Sequence, residues 1–315
     1  MTGLLTFGET LALASSTTPG NLAQATTLDL GIGGAESNVA IGVRRLGGRA
    51  TWVGRVGADS LGTRVVRELR AEDVDARALV DDAAPTALMI KERRTTEAGK
   101  VWYYRTGSAG SRLSSGDLPE ELVAAAGVLH LTGITPALSD TALAATRHAV
   151  ATATAARVPI SFDVNHRLAL WRGRDAAPTY AELARAAAVV FAGEDEARLL
   201  TGCRTDEPDE LLAALAAASG GDAVLKLGAD GCLARIDDVT HRVPAVPVTV
   251  VDTVGAGDAF VAGYLAELLL DRPADERLAT AVRCGALACA SSGDWEGLPT
   301  RADLSLLDGG ESVTR

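Results

Sequence analysis

Short apolar runs alternate with alanine-rich, helix-forming stretches along most of this chain of 315 residues. Helical patterns, such as those at 139–157 and 208–220, separate the runs that we predict as strands: 4–8, 50–54, 127–133, 158–164, 187–193 and 222–228. Strands that alternate with helices form mainly parallel sheets with helices on both faces, so the pattern predicts an α/β fold. Ligands of such sheets bind at the carboxyl ends of the strands.

Two stretches break this alternation. Residues 11–34 alternate without a good helix, and residues 86–106 resemble two strands around a polar turn at 95–99. Together they predict a small sheet that projects from the main domain, either as a lid over a crevice or as an ordinary edge hairpin. With the first option the chain divides into a lid, 11–34 and 86–106, and a core domain made of 1–10, 35–85 and 107–315.

The bulk composition excludes several classes of partner. The net charge is -11 and the pI is about 4.9, so a broad basic face for nucleic acid is not expected. The first residues lack the basic start and apolar core of a signal peptide, and no apolar run is long enough to cross a bilayer. The four cysteines show no CxxC spacing. We therefore expect a cytoplasmic protein with free thiols and no membrane partner.

The segment DTVGAGDAF (252–260) joins a strand-like run at 246–251 to a helix-like run at 259–270. Gly255 and Gly257 allow the backbone to approach a ligand, and the first amides of a helix form an anion site. Asp258 can cap this helix or accept a proton from an attacking hydroxyl. Capping alone needs no paired glycines, so the pattern favours catalysis. No GxxxxGK[ST] motif occurs, which excludes a Walker loop.

The stretch DTVGAGDAFVAGY resembles the C-terminal signature of the ribokinase-like, or PfkB, carbohydrate kinases. Residues 31–62, GIGGAESNVAIGVRRLGGRATWVGRVGADSLG, resemble the N-terminal signature of that family. The resemblance covers essentially the whole chain. It implies a ribokinase-like three-layer α/β/α fold with a β-sheet lid, and transfer of the ATP γ-phosphoryl group to a sugar hydroxyl with Mg²⁺. Asp258 would be the catalytic base, and the anion hole would comprise Gly255, Ala256 and Gly257.

The resemblance also implies a nucleotide and metal site. The family's NxxE motif corresponds to residues 193–196, where Glu196 matches the acid that organises the metal indirectly and Gly193 replaces the asparagine. Acids at this position also suit a helix start. A monovalent cation, such as K⁺, would lie near Asp252, and Ser291 would approach adenine. The predicted ATP-binding residues are Asn165, Arg167, Lys226, Gly228, Gly231, Gly255, Ala256 and Gly257, although Lys226 also fits a solvated strand end.

The substrate prediction depends on two arginines. Arg105 lies in YYRTGSA (103–109) on the predicted lid, and Arg167 lies in DVNHR (163–167) after a predicted strand. A guanidinium fork binds a carboxylate in a bidentate manner, which favours an acid sugar over a neutral one. Taken singly, Arg105 also fits a surface position and Arg167 a structural one.

Three longer stretches resemble the 2-keto-3-deoxygluconate kinase branch of the family: YYRTGSAGSRL, DVNHRLALW and GDWEGLP. By this resemblance the sugar acid would contact Gly34, Asn38, Tyr103, Arg105, Arg167, Asp258 and Asp294, with helix capping as the alternative role of Asn38. In DVNHR, Val164 and His166 depart from the residues of many relatives.

The sequence thus predicts an ATP-dependent kinase that phosphorylates the C6 hydroxyl of 2-keto-3-deoxygluconate to 2-keto-3-deoxy-6-phosphogluconate. The galactonate epimer fits equally well. A fructokinase or ribokinase is the nearest alternative, and a non-catalytic sugar-sensing module is the remoter one. Exposed lid edges favour pairing between subunits, so we expect a homo-oligomer formed through the lid.

Overall fold

The computed structural model describes residues 3–95 and 99–308. Its strands, in chain order, are β1 (Leu4–Phe7), β2 (Leu11–Ser16), β3 (Leu28–Gly33), β4 (Ala50–Gly57), β5 (Asp75–Asp81), β6 (Leu88–Arg93), β7 (Gly99–Tyr104), β8 (Val128–Thr132), β9 (Ile160–Asp163), β10 (Val189–Gly193), β11 (Asp222–Lys226), β12 (Cys232–Ile236) and β13 (Val239–Val243). They form two separate sheets.

The helices follow the same numbering. They are α1 (Ala35–Arg45), α2 (Ser60–Ala71), α3 (Glu120–Ala124), α4 (Thr135–Leu138), α5 (Asp140–Ala156), α6 (Leu168–Trp171), α7 (Ala177–Ala186), α8 (Glu194–Thr201), α9 (Pro208–Ala218), α10 (Ala256–Leu268) and α11 (Ala274–Cys289). Among the residues that the structure describes, no helix is both long and apolar enough to traverse a bilayer.

The larger sheet has nine strands in the order β13-β12-β11-β10-β9-β8-β1-β4-β5. All neighbours pair in parallel except at one end, where β11, β12 and β13 are antiparallel. Each of the six strands predicted from the sequence lies in this sheet. Their apolar runs are nearly continuous because a parallel sheet is covered on both faces.

Two hydrophobic clusters cover the two faces of this sheet. Successive residues of a strand belong to different clusters, as Leu4 and Leu5 do in β1, because side chains alternate across a strand. Helices α1, α2, α10 and α11 contribute to the first cluster, whereas α5, α7, α8 and α9 contribute to the second. The predicted three-layer α/β/α arrangement is therefore confirmed.

Helix α10 is buried along most of its length, as its apolar sequence predicts. Small residues allow its neighbours to approach closely. A Cβ atom added to Gly42 of α1 would lie 2.5 Å from the Cβ of Ala262, and one added to Gly263 would lie 2.9 Å from Sγ of Cys284 in α11. This packing holds the start of α10 beside the start of α1, where the functional side chains lie.

The smaller sheet has the order β3-β2-β6-β7, and we call it the small sheet. Its strands fall within the two stretches that break the helical pattern, with a minor apolar cluster of Leu11, Leu13, Ala87 and Met89. Residues 96–98 of the predicted turn lie outside the described residues. The division into a core and a lid domain, and any closing motion, stay predictions.

One strand-like prediction is wrong. Residues 246–251 form no strand, and Val250 and Val251 are exposed. Pro244 and Pro247 lack the backbone N–H that a sheet ladder needs, so apolar character alone did not produce a strand there. All four cysteines are unpaired thiols, as predicted.

Candidate active site

A cavity of about 430 Å³ lies between the carboxyl ends of the large-sheet strands and the small sheet. Both signature regions reach it, through Asn38 in α1 and Asp258 in α10. The predicted site residues that line it are Gly34, Asn38, Tyr103, Arg105, Asn165, Arg167, Glu196, Lys226, Gly255, Gly257, Asp258 and Asp294. The chain therefore gathers residues from distant segments in the place where α/β sheets bind ligands.

Asp258 lies in the first turn of α10 and is buried. Its Oδ2 accepts a hydrogen bond from Nδ2 of Asn38 at 2.8 Å, and its Oδ1 accepts one from Nδ2 of Asn165 at 3.2 Å. Burial raises the pKa of Asp258 to about 7, although the Asn38 hydrogen bond and nearby cations oppose the rise. A carboxyl group with a pKa near neutrality suits a general base.

Gly255 precedes α10 with a φ of 76°, in the left-handed region that favours glycine. A Cβ atom at this position would lie 2.0 Å from the carbonyl oxygen of Asp294. Both constraints require glycine here. The amide of Ala256 donates to the carbonyl oxygen of Thr253 at 3.3 Å. The next two amides, of Gly257 and Asp258, have no acceptors within the helix, so this turn can bind an anion.

Lys226 ends β11 and approaches the same helix start. A Cβ atom on Gly257 would lie 3.7 Å from its Nζ. The ammonium group donates to both carboxylate oxygens of Asp163, at 2.8 and 3.0 Å, and the side chain is 18% exposed. A solvated strand-end lysine is therefore the wrong interpretation. Asp163 ends β9 and was not predicted as a site residue.

Arg105 follows β7 of the small sheet and is 11% exposed, which is inconsistent with a surface arginine. Its Nη2 lies 2.6 Å from Oε2 of Glu9, a carboxylate that is buried and also accepts a hydrogen bond from Oγ of Ser108. The guanidinium carbon lies 5.4 Å from the ring centre of Tyr103. The sequence patterns did not indicate this ion pair.

Arg167 is exposed but lines the cavity beside Asp258. Its Nη1 donates to the carbonyl oxygen of His166 at 3.1 Å, and its charge is one of those that lower the pKa of Asp258 against the effect of burial. His166 itself points away, since its Nδ1 lies 2.9 Å from the hydroxyl of Tyr180. The positively charged group of Arg167 is thus available to a ligand.

Glu196 lies in the first turn of α8. Its Oε2 accepts a hydrogen bond from the amide of Gly193, and its Oε1 accepts one from the amide of His166, both at 2.8 Å. Glu196 therefore caps its own helix and also holds the loop that carries Asn165. Gly193 retains the amide used here, although it lacks the side chain of the expected asparagine.

Asp294 is buried at the boundary between the two sheets, and burial raises its pKa to about 6. A Cβ atom on Gly33 would lie 2.3 Å from its Oδ2. The neighbouring Gly34 caps α1 and lies against the backbone of Glu9, since a Cβ atom there would be 2.7 Å from the Glu9 carbonyl oxygen. Because they lack side chains, Gly33 leaves room for the Asp294 carboxyl group and Gly34 leaves room for the backbone of Glu9 at the edge of the cavity.

Some predicted residues lie elsewhere. Gly228 and Gly231 form the turn between β11 and β12 with φ values of 58° and 92°, and they do not line the cavity, nor does Ser291. Ala256 is the first residue of α10 and does not line the cavity either. Three charged residues that were not predicted also line the cavity: Glu9, Lys91 and Asp163. Glu9 and Asp163 could have been found, because each is an acid at the carboxyl end of a predicted strand.

The sequence matches a protein-family model and is similar to several known proteins. The model of the pfkB family carbohydrate kinases matches residues 1–301. The 2-dehydro-3-deoxygluconokinase of Bacillus subtilis (strain 168) is 36% identical over 305 residues, with 96% of this chain and 94% of that protein covered. A 2-dehydro-3-deoxygalactonokinase of Haloferax volcanii is 33% identical, with 92% of each chain covered. Fructokinase-1 of Oryza sativa subsp. japonica is also 33% identical, with 96% of each covered.

Solved structures agree with the family assignment. A PfkB protein from Polaromonas sp. JS666 superposes with a TM-score of 0.88 at 34% identity, covering 97% of this chain and 99% of that one. A putative Ribokinase II from E. coli, solved with ATP and Mg²⁺, shares the fold with a TM-score of 0.89 at 23% identity, covering 98% and 99%. The predicted ribokinase-like fold is confirmed, and the chain belongs to the pfkB family of carbohydrate kinases.

Proposed function

We propose that this kinase transfers the γ-phosphoryl group of ATP to the C6 hydroxyl of 2-keto-3-deoxygluconate, also called 2-dehydro-3-deoxygluconate. One observation carries the proposal: the carboxyl group of Asp258, the start of α10 and two arginines line one cavity. The base and the helix start suit phosphoryl transfer. The arginines suit a substrate with a carboxylate.

Asp258 is the proposed base. Its pKa of about 7 leaves a substantial fraction ionised near neutral pH. The carboxylate accepts the proton of the C6 hydroxyl as that oxygen bonds to the γ-phosphorus, and the bond between the γ-phosphorus and the bridging oxygen breaks to release ADP. Asn38 and Asn165 fix the two carboxylate oxygens through their side-chain amides, so the base is held in one orientation.

The start of α10 stabilises the negative charge of the transferring group. Its open amides and the helix dipole point towards an anion without reorganisation during the reaction. Lys226, beside Gly257 and paired with Asp163, adds a partly buried positive charge. These groups supply the positioning and charge stabilisation on which phosphoryl transfer depends.

The residues of the cavity fit an indirectly held Mg²⁺. Both oxygens of Glu196 accept backbone hydrogen bonds, so this carboxylate is suited to contact a metal through water. Mg²⁺ commonly keeps several waters and binds few protein carboxylates together with substrate phosphates. When bound, it would neutralise charge on the ATP phosphates.

Arg105 and Arg167 are the proposed ligands of the sugar carboxylate, with Tyr103 beside them. Glu9 holds the Arg105 guanidinium group by an ion pair. The arginine side chain therefore loses less conformational entropy when the sugar acid binds. The similarity to the 2-dehydro-3-deoxygluconokinase of Bacillus subtilis supports an acid substrate. The similarity to the Haloferax volcanii 2-dehydro-3-deoxygalactonokinase keeps the galactonate epimer as an equal candidate.

A fructokinase is the second candidate, because rice Fructokinase-1 is 33% identical over nearly the full length. The deciding experiment measures kcat/KM for 2-keto-3-deoxygluconate, 2-keto-3-deoxygalactonate, fructose and ribose with ATP and Mg²⁺. We expect a higher kcat/KM for each of the two acids than for either neutral sugar. Fructose as the best substrate by a wide margin would refute the proposal, and no turnover of any of them would favour the sugar-sensing alternative.

A variant then tests the carboxylate contact. Arg167→Met should raise the KM for the acid by about tenfold to a hundredfold, the value of a hydrogen bond to a charged group. Arg185→Met, an exposed arginine at the end of α7, is the matched control and should leave KM unchanged. Equal KM values for Arg167→Met and the parent protein would exclude Arg167 from the substrate site.

The small sheet is the proposed lid and subunit interface. Its outer strand β7 is exposed along its length, and Trp102 and Tyr104, which alternate with the cavity-lining Tyr103, are 41% and 63% exposed. Pairing with a second copy would cover these rings and the open strand edge. Sedimentation of the purified protein should therefore give a mass above that of the 32.3 kDa chain.

A further inference from the structure

Lys91 connects the small sheet to the loop that opens α10. It lies on β6, and its Nζ binds Oδ2 of Asp252. Oδ1 of Asp252 accepts a hydrogen bond from the amide of Val254 at 3.2 Å, one residue before Gly255. The two side chains are 16% and 20% exposed, so water screens this ion pair only partly. The ammonium group therefore acts on the turn that forms the proposed anion site.

The surroundings of Lys91 are acidic. Asp252 binds its ammonium group, and Asp252 and Glu296 both lie close enough to Asp294 to act on its carboxyl group. Burial has the largest effect on the pKa of Asp294 and raises it. The charge of Lys91 lowers this pKa, whereas the charges of Glu296 and Asp252 raise it further. Without a cation, like charges would repel each other beside Gly255, whose backbone lies against Asp294.

The family resemblance places a monovalent cation near Asp252, and the residues present do not fit a free ion there. The Asp252 carboxylate is already engaged by Lys91 on one oxygen and by the Val254 amide on the other. The Lys91 ammonium group beside that carboxylate would also repel a second cation. A lysine ammonium is a compact point charge, comparable in this respect to a monovalent cation.

We propose that the ammonium group of Lys91 permanently replaces a dissociable monovalent cation at Asp252. Lys91 is then a positioning residue, which holds the 252–255 turn in the geometry that α10 needs to bind phosphate. Because the charge is attached to β6, it cannot be lost by dilution. The inference rests on the proposed kinase function only for its kinetic test.

The kinetic test compares activity in potassium chloride with activity in tetramethylammonium chloride at equal ionic strength. We expect the parent protein to differ by less than about twofold between the two salts. Lys91→Met should lose at least about tenfold in tetramethylammonium, and K⁺ should restore part of this loss by binding the vacated carboxylate. The control is Lys100→Met on the neighbouring strand β7, where the ammonium lies 3.9 Å from the Trp102 ring centre. It should behave as the parent does.

A second measurement needs no substrate. The melting temperature of Lys91→Met should rise in K⁺ relative to tetramethylammonium, whereas that of the parent and of Lys100→Met should not. A parent enzyme that requires K⁺ would overturn the proposal. So would a Lys91→Met variant with no K⁺ response in either activity or melting temperature. If the parent phosphorylates none of the sugars tested, the proposed function fails, but the melting temperatures still decide this inference.

Discussion

Nδ2 of Asn38 donates a hydrogen bond to Oδ2 of Asp258 at 2.8 Å, although the two residues are 220 positions apart in sequence. The contact joins α1 to α10, whose glycines permit close packing. It therefore connects the two segments that carry the family signatures. A side chain that alone would suit helix capping instead orients the proposed base.

Asp258→Asn should reduce kcat by about 10²–10⁴-fold, the usual contribution of a general base. The amide has nearly the same shape and can still hydrogen-bond to one of the two asparagines, so the fold should persist. Asp206→Asn is a matched control, because Asp206 is 97% exposed and does not line the cavity. Comparable turnover by Asp258→Asn and the parent, measured as ADP release, would remove Asp258 as the base.

The pH profile should report the same carboxyl group. Asp258 must be ionised to accept a proton, so kcat/KM should rise with pH and level off above an apparent pKa of about 7. The Asn38 hydrogen bond lowers this pKa, so Asn38→Ala should move the rising limb to higher pH. Asn21→Ala, which removes an exposed cap at Leu22–Gln24, should leave the profile in place. A profile that Asn38→Ala does not move would contradict the assignment.

Gly255→Ala should abolish activity and destabilise the protein. The new Cβ would meet the Asp294 carbonyl at 2.0 Å in a backbone conformation that already disfavours alanine. Gly202→Ala separates the two effects, because Gly202 has a similar φ of 71° with nothing within 4 Å of its added Cβ. We expect this control to lose about 1–2 kcal/mol of unfolding free energy and to keep its activity. Equal losses in the two variants would mean that the contact with Asp294 is unimportant.

Arg105→Met should lower the free energy of unfolding by about 3–5 kcal/mol, because it leaves the buried Glu9 carboxylate without its cation. Adding Glu9→Gln should restore part of that stability, since the uncompensated charge is then removed. Substrate affinity should not return in the double variant, because the guanidinium group is still missing. Denaturant unfolding and KM values for the sugar acid measure the two effects; a double variant that is less stable than Arg105→Met would disprove the coupling.

The predictions from sequence agree best with the structure in the large sheet. All six predicted strands are present, because continuous apolar runs separated by amphipathic helices favour burial on both faces of a parallel sheet. The prediction of a strand at 246–251 was wrong, because it relied on apolar residues alone. Pro244 and Pro247 lack the backbone N–H groups that a strand donates to its neighbour. Strand pairing depends on backbone hydrogen bonds as much as on apolar side chains.

The candidate site was only partly predictable, because partners far apart in sequence decide its charges. The motifs located Asp258, Gly255 and Arg105, yet the sequence did not indicate that Glu9 neutralises Arg105. Nor did it indicate that Lys91 reaches Asp252. Side-chain pairing across tens to hundreds of residues follows from how the two sheets face each other.

The sequence by itself determined the family, the alternation of elements and the residues at the start of α10, because these depend on local patterns of apolar, glycine and acidic positions. Only the tertiary structure decided which carboxylates are buried and which cations face them. Burial changes the cost of a charge and proximity offsets it, so the pKa of about 7 at Asp258 comes from the packed environment rather than from its motif.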